Sequence, residues 1–527
     1  MPRLFWAMLV LAVLPFAAKA APSGRVEVTL IPEAGQLRAV FVLPRPTSKF
    51  ALAERSPDIR ADTWAMATPG LTLADDQVTA ARPFRRFEIV IRPDSIERDR
   101  IYPALVRMGA DGWMIYGLYF KAADGETRLS ARLPRAWVAL SGSGDRLDTE
   151  GYGFLGSGAY VKRGAAVVVA PTETPAWLYE RVLQSANGAT AFYSRWLGIP
   201  RKNPPLIMML QRESLSDGYR GDTTPGDVVS LRFNGNAWLT PDEQAGRQIG
   251  RFVAHEFFHF WNSKSGADVE EKQPWLHEGA AEYAALLYGL QAGELTPEEF
   301  KAELGERLTG CVRALPTQAL AVNGPVRGEP VYHCGVAVEW LADLQIRRAD
   351  PRRDVLDAWG PILAGDKRNY TVAGFRAAVG AGPLDRLLDG SGPDRWPGLF
   401  DALRPFGVTL DSHDDPPAAR SKAVMHLLGG LCQGKAYGFY RQDDRLVLDA
   451  SGACAAAMGG AEVDTLEGHS LFTDALGAYD AVQAVCAAGG AVKVGFQGKA
   501  VTEWPCKAPL GPRPTRWVVG ASGLPAS

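Results

Sequence analysis

The sequence predicts a multidomain α+β protein: an N-terminal β-sandwich-like domain, an α-rich central domain and a small C-terminal α+β domain. Three observations predict it. The chain has 527 residues, which is room for about three domains at roughly 100–200 residues each. Hydrophobic residues make up 46% and charged residues 22%, the balance of a chain that can bury several cores. The residue pattern also changes twice, from strand-like to helical near residue 171 and to mixed near residue 415.

The first twenty residues, MPRLFWAMLVLAVLPFAAKA, read as an export signal. Arg3 gives a basic start, Leu4 to Ala18 form an apolar run too short for a bilayer span, and Ala18-Lys19-Ala20 is a small-x-small cleavage site. Cleavage after Ala20 makes the mature chain periplasmic or secreted. No later stretch is apolar for long enough to span a bilayer, so the mature chain is expected to have no membrane span.

Residues 21–170 carry the β domain. RVEVTLI, LRAVFVL, RRFEIVIR, GWMIYGLYF and AAVVVA are rich in Val, Ile, Phe and Tyr and are separated by Gly, Pro and Asp. Residues 171–410 are α-rich. AWLYERVLQSANGATAFYSRWLG places Leu178, Val182, Leu183, Ala191, Phe192 and Trp196 at helical spacing. PPLIMMLQ and DVVSLRF read as strands. In LTPDEQAGRQIGRFVAHEFFHFWN, Thr240 is the expected cap, Pro241 the first helical residue and Glu243 the partner in a capping box. TPEEF at Thr296 repeats the device, and PVYHCGVAVEWLADLQIRR and TVAGFRAAVG read as further helices.

HDDPPAARS, from His413, is polar and proline-containing and reads as a linker. Residues 415–527 then combine the strand patterns RLVLDA, AVKVGFQGK and TRWVVGA with the helix DALGAYDAVQAVCAAGG. Six cysteines without a C-x-x-C pair, in an exported chain, favour disulfides. The simplest pairing joins Cys311 to Cys334 and leaves Cys432, Cys454, Cys486 and Cys506 to form two bridges of open connectivity. The net charge of −2 offers no concentrated cationic face, which argues against a nucleic-acid partner.

Only seven histidines occur, and three of them fall in HEFFHFWNSKSGADVEEKQPWLHEGAAEY, from His255 to Tyr283. His255 and His259 are four residues apart, one above the other on a helix face, where two neutral imidazoles can hold one Zn²⁺. Glu256 projects beside the pair and is placed to take a proton from an attacking water. A catalytic zinc needs a third protein ligand and an open fourth position. Glu270, Glu271, His277, Glu278 and Glu282 are the candidates. Glu270 and Glu271 sit in a polar loop and read as solvated surface. Glu278 and Glu282 share a face of the next helix, so one of them can bind the metal while the other orients a ligand histidine. His413, His426 and His469 have no metal-like neighbours in the sequence and read as surface or structural.

This segment resembles the gluzincin metallopeptidases, in which a glutamate ligand follows H-E-x-x-H after eighteen residues. Eighteen residues, 260 to 277, separate His259 from Glu278, so the resemblance implies Glu278 as the third ligand, with one zinc per chain. WLHEGAAEY is similar to the W-L-x-E-G-x-x-x-Y of aminopeptidase N-like enzymes. His255 to Lys264 follow H-E-x-F-H-x-W-N-x-K, the motif of the glycyl aminopeptidase family (peptidase family M61). That resemblance covers about 30 residues at motif level. It implies an N-terminal β domain, a thermolysin-like catalytic domain and a PDZ-like C-terminal domain, and a peptide or protein as substrate. It also implies an oxyanion-binding tyrosine, for which Tyr332 in Val331-Tyr332-His333-Cys334-Gly335 is the candidate, with His333 as a second donor.

One stretch departs from the pattern. Aminopeptidases of this clan carry a glutamate that grips the substrate's free amine, and RGDTTPGDVVSLRFNG, from Arg220 to Gly235, has none. Asp222 or Asp227 would have to substitute. The expectation is therefore a zinc peptidase, as an aminopeptidase before an endopeptidase. The alternatives are a catalytically silent peptide-binding protein on the same fold and a zinc hydrolase of another amide or ester.

Overall fold

The structure, a computed structural model, describes residues 24–94, 102–142, 147–213, 217–262, 272–365, 370–432, 437–442, 445–448 and 460–520. The predicted export signal, Lys264, Glu270, Glu271 and Cys454 lie outside the described residues. The chain is a multidomain mixed α/β protein of two compact units, Met1–Ser194 with Pro200–Lys264, and Arg195–Ile199 with Ser265–Ser527.

The first unit begins with a sheet in the strand order Trp64–Met66, Gln77–Ile91, Gln36–Ala51, Val26–Glu33, Thr127–Ala131, with Leu71–Ala74 paired to Gln77–Ile91. Alternation sets its faces: Val26, Val28 and Leu30 point into the core while the residues between them do not. A second sheet runs Leu105–Arg107, Gly112–Tyr116, Tyr152–Ser157, Trp137–Ser141. Both contribute to one apolar core, in which Phe41 stacks on Phe87 at 4.6 Å and Ile115 and Phe154 are fully buried.

A third sheet carries the site. Its order is Val161–Arg163, Val167–Val169, Leu206–Arg212, Val228–Asn234, Gly218–Thr224. The three middle strands are parallel and Gly218–Thr224 is an antiparallel edge. Buried runs such as Leu206 to Leu210 and the whole of Val228–Asn234 are what a parallel sheet covered on both faces requires. AAVVVA, grouped above with the N-terminal strands, belongs here. Parallel pairing needs a crossover, and the helix Ala176–Trp196 supplies it. The next helix, Glu243–Asn262, packs on the two strands at that edge. Its cap is Asp242, whose Oδ1 accepts from Ala245 N at 2.8 Å. Thr240 stands outside the helix, too early to reach the free backbone amides of its first turn.

In the second unit the helices Pro274–Gln291, Pro297–Ala314 and Glu329–Ala349 pack together. Thr296 and Glu299 form the expected capping box. A Cβ on Gly279 would meet Gly335 Cα at 2.3 Å, so two glycines let the 274–291 and 329–349 helices cross backbone to backbone. Cys311 and Cys334 are bridged, with Cα atoms 4.6 Å apart and 23 residues of separation. A closed loop of that size stabilises by about 3 kcal/mol in the chain-entropy account.

The expected linker at His413 is instead ordered structure. Leu410–Asp414 is a strand paired with Thr515–Val519, and Pro416–Cys432 is a helix. Asp415 Oδ1 accepts from Ala418 N at 3.1 Å, so D-P-P is a capping residue followed by prolines in the first turn, where their missing amide costs nothing. Beyond it, a sheet in the order Phe439–Gln442, Arg445–Leu448, Glu462–Leu466, Ala491–Phe496, Thr502–Pro505 packs with the helix Ala475–Ala487. Cys486 is bridged to Cys506, and Cys432 is also disulfide-bonded. Among the described residues no helix is long and apolar enough to cross a membrane.

Candidate metal centre

The helix Glu243–Asn262 is buried throughout its last three turns, from Phe252 to Asn262. A helix apolar on every side is a core helix, so polar residues on it need partners. Neighbouring elements fix its course. Tyr193 donates from its hydroxyl to Ala254 O at 3.1 Å, and Arg181 Nε donates to Gly246 O at 2.7 Å. Arg201 Nη1 donates to Phe260 O at 2.9 Å, and its guanidinium lies 5.0 Å from the Phe260 ring and 5.3 Å from the Trp261 ring. A cation there also complements the negative end of the helix dipole.

His255 and His259 present Nε2 to Nε2 at 3.2 Å, with ring planes 80° apart. His259 Nδ1 donates to Asn262 Oδ1 at 2.9 Å, which leaves the His259 lone pair on Nε2. Asn262 is fully buried. Two imidazole nitrogens converging in a buried site repel as lone pairs and are reconciled by a shared cation, so the donor set fits a divalent metal of zinc's type. The sequence reading assigned Asn262 no role. The signal was there, a polar residue three positions after a ligand histidine on an otherwise apolar helix face.

Glu256 lies against the edge strand Gly218–Thr224. A Cβ on Gly221 would fall 2.4 Å from both Cδ and Oε1 of Glu256, so a larger residue there would force the carboxylate or the strand to shift. Thr223 Oγ1 lies 2.8 Å from Glu256 O and 3.3 Å from Oε2, and holds the side chain from the other end of the same strand segment. This cradle was invisible in the sequence, because strand and helix are more than thirty residues apart.

The two aspartates expected to replace the amine-gripping glutamate are both in ion pairs. Asp222 Oδ2 accepts from Arg232 Nη1 and from the Tyr152 hydroxyl at 3.3 Å. Burial works against the Arg232 charge, but Asp222, Tyr152 and Glu256 together raise the Arg232 pKa on balance. Asp227 pairs with Arg201.

In the second unit, Glu278 is partly buried on the helix Pro274–Gln291, one residue before the crossing glycine. Glu282, one turn on, accepts from Arg307 Nη2 at 2.8 Å. His277, a candidate ligand in the sequence, lies 3.0 Å from the Tyr370 hydroxyl through Nδ1, both side chains buried. Tyr332 is partly buried in the first turn of Glu329–Ala349. His333 fills the space beside Gly310, where a Cβ would come within 1.9 Å of its Nδ1. Burial first, and the Arg307 charge second, hold the His333 pKa below its ordinary value.

No protein-family model matches the chain, and no curated protein matches it. Among solved structures, an aminopeptidase N family protein from Idiomarina loihiensis superposes with a TM-score of 0.57 at 11% sequence identity, covering 94% of this chain and 98% of that one. At that identity the likeness establishes the fold alone, over nearly the whole of both chains.

Proposed function

We propose that this protein is an exported zinc-dependent metallopeptidase of the gluzincin type, resembling the glycyl aminopeptidase family. His255, His259 and Glu278 hold one zinc ion, Glu256 is the general base and Tyr332 binds the oxyanion. The observation that carries the proposal is the convergence of the two imidazoles beside a glutamate seated in a glycine cradle. Glu278 enters on the eighteen-residue spacing from His259.

When bound, zinc supplies Lewis acidity to the scissile carbonyl and lowers the pKa of a water. The Glu256 carboxylate takes the proton of the attacking water and returns it to the leaving nitrogen. Gly221 and Thr223 set where that carboxylate points. Asn262 keeps His259 in the tautomer that offers Nε2. The Tyr332 hydroxyl donates to the developing oxyanion. Residues 21–170 form the β domain, 171–410 the thermolysin-like catalytic domain and 415–527 a PDZ-like module in this reading, with a peptide or protein as substrate and no nucleic acid.

Aminopeptidase action follows from the family resemblance. One observation favours endopeptidase action instead: Asp222 and Asp227 both face guanidinium partners, so neither offers an uncommitted carboxylate to a substrate amine. Glu256→Gln tests the mechanism. Zinc content should stay at about one per chain while hydrolysis of internally quenched peptides falls by more than about 10³-fold. Wild-type hydrolysis by that variant would remove Glu256 from the mechanism. Inactivity of zinc-loaded wild-type protein on quenched peptides and on aminoacyl-naphthylamides would favour a silent peptide-binding protein.

A further inference from the structure

The C-terminal module brings together a second set of metal-ligating side chains. His426 stands on the helix Pro416–Cys432, Cys486 in the last turn of the helix Ala475–Ala487, and Cys506 directly after the strand Thr502–Pro505. One ligand atom from each lies within 4.8 Å of the others. The cysteines are buried and joined as a disulfide, and His426 is partly open to solvent. In the sequence His426 looked isolated, because its sulfur neighbours are sixty and eighty residues away.

Three features make this more than a staple. First, imidazole plus two thiolates is a set that selects zinc among the common divalent ions. Second, the imidazole is already fixed: His426 Nε2 donates to Ala508 O at 2.7 Å, the kind of backbone carbonyl contact that orients ligand histidines. Third, the bridge and the histidine hold the same segment. That segment is also strapped by Lys422 Nζ to Pro512 O at 3.0 Å, Gln483 Oε1 to Leu510 N at 2.6 Å and the Tyr479 hydroxyl to Pro512 O at 3.0 Å. The frame around the cysteines is therefore fixed by bonds other than the bridge, and the two sulfurs stay close to the imidazole when the bridge opens.

We propose that the Cys486–Cys506 disulfide and His426 form a redox-gated zinc site, closed when the bridge is intact and open when it is reduced. The chemistry balances with a dithiol as reductant. Two electrons from the dithiol break the sulfur–sulfur bond, two protons end on Cys486 and Cys506, and the dithiol closes to its own disulfide. Zinc then binds the two sulfurs and a ring nitrogen of His426, and releases those two protons to solvent. The partly exposed side of His426 leaves the fourth position to water. The metal ties the two elements that the bridge tied and adds the helix Pro416–Cys432 through His426. This site is separate from the His255–His259 centre and does not rest on the proposed peptidase activity.

The test counts zinc in the full-length protein before and after treatment with dithiothreitol, with unbound zinc and reductant removed by gel filtration under argon. Reduction should raise bound zinc by about one per chain. His426→Ala and Cys486→Ser should each abolish the increment and leave the count of the oxidised protein unchanged. Cobalt titration of the reduced wild-type protein gives a readout that needs no variant: a thiolate-to-cobalt charge-transfer band in the near ultraviolet, erased by reoxidation with oxidised glutathione. An equal zinc count in both redox states would overturn the proposal. So would an increment that survives His426→Ala and Cys486→Ser, since it would then belong to the other cysteines.

Discussion

Gly221→Ala offers the sharpest test of the way the edge strand presents Glu256. The added methyl would stand 2.4 Å from Glu256 Cδ and Oε1, where ordinary contact begins at 3.4 Å. The carboxylate must therefore move by about 1 Å, or the strand must. The strand resists, because Asp222, the next residue, is held through Arg232 and Tyr152, and Thr223 beyond it is bonded to Glu256 itself. A displacement of about 1 Å at a catalytic group costs on the order of 10²-fold in rate. Zinc should stay bound, since the atoms a methyl at 221 would crowd belong to Glu256, which is not one of the proposed ligands. The assay is kcat/KM on an internally quenched peptide beside zinc content measured by mass spectrometry. A kcat/KM within about twofold of wild type, with zinc retained, would refute the cradle argument.

Two further outcomes are expected. Asn262→Leu removes the acceptor of His259 Nδ1 and should weaken zinc binding by about 10–100-fold, read by competition with a chromogenic chelator, while Asn262→Asp should restore much of it. Asp354 is raised to about 6, first by burial and second by the Asp343 charge. The folded state thus holds its proton more tightly than the unfolded state, so this contribution is full below about pH 4 and is lost as pH rises through 6. The loss is on the order of 2–3 kcal/mol, and Asp354→Asn should flatten that slope in urea melts from pH 4 to 7 while keeping the cap to Leu356 N.

Much of the candidate site was legible because it is local. H-E-x-x-H on a capped helix places two imidazoles by helical geometry alone, and the structure has their Nε2 atoms 3.2 Å apart. The capping box at Thr296 and the bridge Cys311–Cys334 were legible for the same reason, short spacing and strong chemistry. Local reading also misled. D-P-P after His413 has the composition of a linker, yet composition cannot tell a solvated hinge from a capped helix start, and the strand Leu410–Asp414 exists only because Thr515–Val519 pairs with it. AAVVVA was a strand in either reading, but which sheet it joins depends on the parallel partner Leu206–Arg212.

The sequence by itself determined the side chains on offer: two histidines one helical turn apart, a glutamate beside them, a carboxylate after eighteen further residues and cysteines enough for several bridges. These rest on spacing within one or two elements, where backbone geometry leaves little choice. Tertiary structure alone decided what each group meets. It gave Glu256 its glycine seat, gave His277 to Tyr370, committed Asp222 and Asp227 to arginines, and set His426 beside two sulfurs. Such contacts join residues from ten to more than ninety positions apart, and the packing of strands and helices, which no local pattern encodes, is what selects them.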